Sequence, residues 1–211
     1  MQQPIKTMIR KIEVLVVQSM FLLLFVGTAS AQTDRQISIH LDPAATNVRW
    51  TLGDVLHVVH GTFKLKQGVI SYNPLTKEAS GLIEVDATSG ESGNSARDHR
   101  MHKDVLNSAQ YGVITFRPNR VEGTFDPTVR GDFVVDGILN LHGQNHPMKI
   151  KVSAQPKGGD GLSIETHFAV PYVEWGLKDP STFVLRVSKE VSIDIDSAAT
   201  ITNESGARTQ P

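Results

Sequence analysis

The stretch Gly137-Ile-Leu-Asn-Leu-His-Gly-Gln-Asn-His-Pro-Met-Lys-Ile150 decides the fold class of this chain. Apolar and polar residues alternate on both sides of a Gly/Pro turn, which is typical of two antiparallel strands. A second stretch, from Arg97 to Phe116, inserts a short helical segment into an otherwise strand-rich sequence. A β-meander with one helical cover is the layout of a small-molecule container, so the pattern favours a binding protein over an enzyme.

Alternation with period two recurs from Val48 onward and predicts about eight strands. The segments with the clearest alternation are residues 48–52, 55–65, 69–72, 83–88, 133–141, 148–154, 164–170, 183–187 and 191–195. Turn residues separate them at short spacing, which indicates an all-β fold. Each segment has one apolar face, as expected for antiparallel strands around a single interior. A closed barrel removes exposed edges, and its interior can either fill with side chains or hold one ligand.

The helical insert is expected to begin at Ser95, where Ser95 and Asp98 resemble a capping box. Met101, Val105 and Ala109 follow at a spacing of four residues, and Gly112 is expected to end the helix. Two interpretations remain open for this segment. It is a crossover that covers one end of the barrel, a lid over a cavity, or both.

The N-terminal 31 residues resemble a secretory signal peptide, with a basic start, an apolar run and the small residues Ala29-Ser30-Ala31 before the cleavage point. The alternative is an uncleaved anchor, although the apolar run is shorter than the roughly 20 residues that span a bilayer. We therefore expect a signal peptide over 1–31, a barrel over 42–196 and a disordered tail over 197–211. Export to the periplasm is expected, with the extracellular space as the alternative.

Composition narrows the range of partners. The formal charge is −1 and the chain contains no cysteine. Without a basic stripe, nucleic acid is not an expected partner, and an anionic membrane surface is not strongly favoured, which leaves room only for transient membrane contact. The lack of cysteine excludes disulfides, thiolate metal sites and cysteine nucleophiles.

Metal-assisted hydrolysis is a third hypothesis, and it rests on His99 and His102. Three residues apart on a predicted helix, the two side chains share one face, and Asp98 lies beside them. A catalytic zinc also needs a third protein ligand and an open position. No hydrolase or phosphate-binding motif accompanies them. We therefore expect no metal, no cofactor and no catalytic residue.

Two polar features have alternative interpretations. Arg97 either hydrogen-bonds a ligand head group at the barrel mouth or, together with Asp98, fixes the start of the helix to the sheet. The aromatic segment with Tyr172 and Trp175 either plugs one end of the barrel or lines a ligand entrance.

The order and spacing of motifs between Val48 and Ile195 resemble the YceI-like family. The elements that carry the resemblance are Val59-x-Gly61-x-Phe63, Gly68-x-Ile70, Arg97-Asp98-x-x-Met101, Ile114-x-Phe116, Gly137-x-Leu139-x-x-x-Gly143-x-x-x-Pro147 and Val191-x-Ile193-x-Ile195. The resemblance implies an extended, lipocalin-like antiparallel barrel with a short helical insert, whose interior holds a long isoprenoid chain. It also implies an exported bacterial protein.

The predicted function is to bind a polyisoprenoid or an isoprenoid quinone inside the barrel, for storage or transport in the cell envelope. A filled barrel that acts as a stress-related or scaffold protein through its surface is the alternative. The residues predicted to contact the apolar tail are Phe63, Ile83, Val85, Phe116, Phe133, Leu139, Phe168 and Phe183. Arg97 and Trp175 are predicted to contact the head group.

Overall fold

The computed structural model describes residues 35–53, 58–182 and 186–205 of the chain. Eight strands form a closed antiparallel barrel in which each strand pairs with the next along the chain and the last pairs with the first. They are β1 (Arg35–Gly53), β2 (Val58–Tyr72), β3 (Ala79–Glu91), β4 (Val113–Glu122), β5 (Gly131–Leu141), β6 (Gln144–Gly158), β7 (Gly161–Val170) and β8 (Val191–Ser205). The predicted all-β barrel with a short helical insert is confirmed.

The two ends of the barrel are built differently. At the closed end, short turns connect β2 to β3 and β6 to β7, a loop over 123–130 connects β4 to β5, and a compact apolar cluster packs around Leu162 and Tyr72. At the lid end, the helical insert follows β3 and a long segment over 171–190 follows β7. A second apolar cluster, which includes Leu139 and Leu177, lies toward this end.

The helical insert consists of α1 (Ser95–Arg100) and a π-helix (Met101–Leu106). Asn94, rather than Ser95, caps α1, because its side chain accepts a hydrogen bond from the backbone N–H of Arg97 at 3.1 Å. The helix ends at Leu106, earlier than predicted, since Asn107 adopts a left-handed conformation with φ 44°. Within the described part of the chain, no helix is long and apolar enough to cross a membrane.

The predicted disordered tail is wrong for residues 197–205, which continue β8. At the other terminus, β1 begins at Arg35, before the expected start of the barrel at residue 42. The two extensions pair with each other, with Ile39 opposite Ile201, and both side chains are buried at the closed end. Residues 1–31 and 206–211 lie outside the described residues, as do residues 183–185 of one predicted strand.

Gly61 is required where β2 passes beneath the indole ring of Trp50. A Cβ atom at this position would lie 2.3 Å from ring carbons of Trp50 and 2.2 Å from the carbonyl oxygen of Glu91. Neither the buried ring nor the strand backbone can move aside without disturbing the barrel wall. The absence of a side chain here therefore permits close packing between β1, β2 and β3.

Gly61→Ala should lower the free energy of unfolding by about 1–3 kcal/mol, because the added methyl group overpacks the wall. Guanidinium denaturation followed by circular dichroism measures the change. Gly131→Ala is the matched control, since its Cβ would meet only the carbonyl oxygen of Thr124 at 3.9 Å. Equal stability of the two variants would contradict the packing argument.

Candidate functional site

The barrel encloses a cavity of about 680 Å³, within the range of about 300–1,000 Å³ typical of small-molecule sites. Every strand contributes an inward-facing apolar side chain to its wall, among them Ile39, Phe63, Ile83, Phe116, Phe133, Ile150, Phe168 and Ile193. Period-two alternation produces this arrangement, since every second side chain of each strand points inward. The interior is hollow, which removes the premise of the filled-barrel alternative.

Most of the predicted tail-contact residues lie in this wall. They are Phe63, Ile83, Val85, Phe116, Phe133, Leu139 and Phe168. Phe183 lies outside the described residues. The structure thus brings seven residues from five strands around one space, and their contact with a ligand stays a prediction.

Trp175 is placed differently from the other predicted site residues. Its ring stacks on His146, with ring centroids 3.9 Å apart and planes 5° from parallel, and it packs against the apolar cluster of the lid end. It is not among the described residues that line the cavity. Burial lowers the pKa of His146, so the imidazole in the stack favours its neutral form. This placement matches the plug interpretation rather than contact with a head group.

The helical insert covers the lid end of the cavity and contributes Ala96, Arg97, Arg100, Met101, Val105 and Leu106 to its lining. His102 ties the insert to the barrel. Its Nε2 lies 2.8 Å from the carbonyl oxygen of Gly90, and its Nδ1 lies 3.0 Å from the hydroxyl of Ser108. The predicted lid is therefore a surface of the cavity and not merely a crossover.

The hydrogen bonds of His102 also bear on the metal hypothesis. Both of its ring nitrogens contact protein groups, so neither is free to ligate an ion in this arrangement. Across the described residues, no three His, Cys, Asp or Glu side chains come together as a metal-binding group. His102 serves in this structure as a tether between the lid and β3.

Arg97 fixes the start of the helix, as one of its two interpretations predicted, and its contact with a ligand head group stays a prediction. Its Nε donates to the hydroxyl of Ser92 at 2.8 Å, and one of its Nη atoms donates to the carbonyl oxygen of Ser92 at 3.0 Å. The Ser92 hydroxyl donates in turn to Asp98. This network fixes the start of α1 to the end of β3, while the same arginine lines the cavity.

Arg100 is a lining residue that the sequence analysis missed. It follows Arg97 by three residues on the helix, which places both guanidinium groups on the same face. Among the described residues of the lining, these two arginines are the only charged ones. The cavity is therefore apolar along its length and cationic at the lid end.

Tyr172, which the sequence analysis placed with Trp175 at one end of the barrel, lines the cavity and secures the segment that follows β7. Its hydroxyl donates to the carbonyl oxygen of Ser188 at 2.7 Å. Burial, with a smaller contribution from the nearby charge of Asp179, raises the pKa of Tyr172 to about 12. The neutral phenol thus closes part of the lid end without adding a charge to the wall.

Comparison with known sequences supports the assignment of the chain to a family. A sequence model described as the YceI-like domain matches residues 40–199. A UPF0312 protein of Pseudomonas savastanoi pv. phaseolicola is 34% identical over 104 residues, which covers 48% of this chain and 52% of that protein. A UPF0312 protein of Shewanella sp. strain W3-18-1 is 32% identical over 129 residues, covering 57% and 64% respectively. The chain thus spans between half and two thirds of the length of these curated relatives.

Solved structures share the fold at low sequence identity. Burkholderia cenocepacia BcnA superposes with a TM-score of 0.62 at 16% identity, covering 76% of this chain and 99% of that one. A polyisoprenoid binding domain from Saccharophagus degradans, implicated in plant cell wall breakdown, also gives 0.62, at 17% identity and with 78% and 98% covered. From the family match, the motif order and the closed barrel together, we conclude that this chain belongs to the YceI-like domain family.

Proposed function

We propose that the barrel binds one long apolar lipid, a polyisoprenoid or an isoprenoid quinone, inside its cavity. The observation that carries the proposal is the hollow apolar interior of about 680 Å³, to which all eight strands contribute. Water in such a space would find few hydrogen-bond partners, so an apolar ligand is the favoured occupant. The similar fold of the Saccharophagus degradans domain, which is described as polyisoprenoid binding, supports the same ligand class.

The size of the cavity sets the expected scale of the ligand. A dry cavity of roughly 150 Å³ holds one benzene ring. By the same measure, the cavity of about 680 Å³ has room for a chain on the order of 25 carbons, or about five isoprene units. A branched hydrocarbon of that length would contact the aromatic and aliphatic wall on all sides.

Binding without chemical conversion is part of the proposal. The described lining residues include no His, Asp, Glu or Lys, so the Ser, Thr and Tyr hydroxyls of the lining have no general base among them to activate a nucleophile. Transfer of hydrocarbon from water into the cavity gains about 0.8 kcal/mol per CH₂. A bilayer offers the lipid the same gain, so selectivity must come from close packing along the tail and from contacts at its polar end.

The protein purified from its native source should carry an extractable apolar lipid in stoichiometric amount. Organic extraction followed by mass spectrometry measures the lipid-to-protein ratio. Phe133→Asp should carry little or no lipid, or fail to fold, because an unpaired carboxylate in the wall is costly to bury. Absence of stoichiometric lipid from folded wild-type protein would refute the proposal.

Val134→Asp is the matched control for this variant. Val134 follows Phe133 on β5 and therefore points to the opposite face of the sheet. The Val134→Asp variant should retain the bound lipid and a wild-type circular dichroism spectrum. Loss of lipid from both variants would show that charge on the strand, rather than charge in the cavity, causes the effect.

Arg97 and Arg100 are proposed to contact the polar end of the lipid at the lid end. They are the charged groups among the described lining residues, and the remainder of the wall is apolar or uncharged. An amphiphile would therefore enter with its tail inward and its head group between the lid and the rim. Arg97 already donates a hydrogen bond to Ser92. Substitution of the exposed Arg100 is therefore the clearer test of head-group contact.

Arg100→Gln should weaken binding of oleate up to about fivefold and leave binding of oleyl alcohol unchanged, because an exposed ion pair contributes only about 0.2–1 kcal/mol. Isothermal titration calorimetry with both probes measures the difference. Lys103→Gln removes a charge from the same insert at an exposed position outside the described lining, and serves as the control. If both variants weaken oleate binding equally, the weakening would be due to general surface charge and not to contact with Arg100.

We further propose that the barrel stores or carries its lipid in the cell envelope. The support is the N-terminal sequence, with Lys6, Arg10 and Lys11 before an apolar run and Ala29-Ser30-Ala31 after it. Expression of the chain in a Gram-negative host should yield periplasmic protein. Its intact mass should correspond to a chain that begins at Gln32. Ala31→Arg should block this cleavage, and unprocessed wild-type protein in the cytosol would contradict export.

A further inference from the structure

The closed end of the cavity is blocked by a residue that comes from a loop rather than from a strand. Phe125 lies in the loop over 123–130, yet it is only 6% exposed and lines the cavity. Its ring meets Tyr72 edge-on, with centroids 5.7 Å apart and planes at 72°. It also meets Phe133, with centroids 5.2 Å apart and planes at 58°. We call these three rings the aromatic floor.

Local hydrogen bonds hold the aromatic floor in place. The Asp126 carboxylate accepts from the backbone N–H of Thr128 at 2.8 Å and from its hydroxyl at 2.7 Å, which fixes the turn after Phe125. The Tyr72 hydroxyl is hydrogen-bonded to the Phe125 backbone, which opposes part of the rise that burial causes in the pKa of Tyr72. Tilted and edge-on ring contacts are favourable geometries for aromatic pairs.

Beyond the aromatic floor the barrel is packed with side chains. Ile37, Ala154, Ala199 and Ile201 are buried in the same cluster as Tyr72 and Phe125, and they are not among the described residues that line the cavity. An interior filled with buried side chains does not admit a hydrocarbon chain. A tail that enters at the lid end therefore meets a fixed stop at Phe125.

We infer that Phe125 sets the greatest length of hydrocarbon chain that the barrel encloses. The inference rests on the proposed function, because it concerns how the same cavity selects among lipids. Each isoprene unit adds wall contact until the tip of the chain reaches the ring. Further units remain outside the cavity at the lid end and add nothing, so the bound lipid is selected by chain length.

The experiment titrates the protein with a homologous series of all-trans polyprenols of three to nine isoprene units. Binding is measured by native mass spectrometry and checked by tryptophan fluorescence, to which Trp50 in the cavity wall contributes. The affinity of wild-type protein should rise with chain length and level off near about five units, the capacity estimated from the cavity volume. Phe125→Ala should move this plateau about one unit longer, since one large-to-small substitution can open space for a six-carbon ring.

Phe63→Ala is the matched control, because it removes the same ring from the wall near the lid. A Cβ on Gly90 would meet both Phe63 and Met101, which places Phe63 beside the helical insert. This variant should weaken binding of every polyprenol and leave the plateau at the wild-type length. A plateau that moves equally in both variants would attribute length selection to total volume and overturn the role of Phe125.

Two further variants keep the test decisive if Phe125→Ala does not fold. Phe125→Leu should move the plateau in the same direction by a smaller amount, and Phe125→Trp should move it to shorter chains. An unmoved plateau in folded variants overturns the inference and leaves the proposed function intact. A wild-type protein that binds no polyprenol overturns the proposed function, and with it the inference that Phe125 limits chain length.

Discussion

The hydrogen bonding between β1 and β8 is the constraint on which the rest of the structure depends. These strands pair antiparallel from Arg35 opposite Ser205 to Thr51 opposite Ser192, interrupted by one irregularity, and so close the sheet on itself. Closure removes the free edges and directs alternate side chains of all eight strands into one interior. At eight strands the interior is just wide enough either to be filled or to hold one small ligand.

The distribution of side chains along the barrel decides between these outcomes. At the closed end, Tyr72, Phe125 and Phe133 meet above a packed apolar cluster, and the interior is full. Toward the lid end, the inward side chains leave a cavity of about 680 Å³. The side chains around an apolar cavity of that size lack many dispersion contacts, which a ligand would supply. The fold thus keeps a binding space at the cost of packing.

The two ends also differ in how firmly they are sealed. The closed end is held by buried apolar contacts. The lid combines partly buried apolar contacts of Val105 and Leu106 with hydrogen bonds from Arg97 and His102 and an exposed ion pair between Lys178 and Asp104 at 3.7 Å. The exposed contacts of Arg97 and Lys178 exchange with water and contribute little net stability. Local opening is expected at such places. This difference supports the proposed entry of a lipid at the lid end, tail first.

The sequence was informative wherever a contact depends on local alternation. Period two is set by the backbone of each strand, so the barrel and the inward placement of residues such as Phe63, Phe116 and Phe168 could be predicted. The prediction from sequence failed for residues 197–205. There Ala199 and Ile201 alternate with small polar residues that are also typical of a disordered tail. The YceI-like motif order added the family and, with it, the expectation of an isoprenoid ligand.

By itself, then, the sequence determined the all-β fold class, the inward faces of most strands and the position of the helical insert. Tertiary structure alone decided that the interior is hollow, that Phe125 turns inward from a loop, and that Trp175 stacks on His146 instead of facing the cavity. The reason is physical. Alternation is a property of neighbouring residues, whereas cavity volume and ring contacts depend on side chains from strands and loops that only barrel closure brings together.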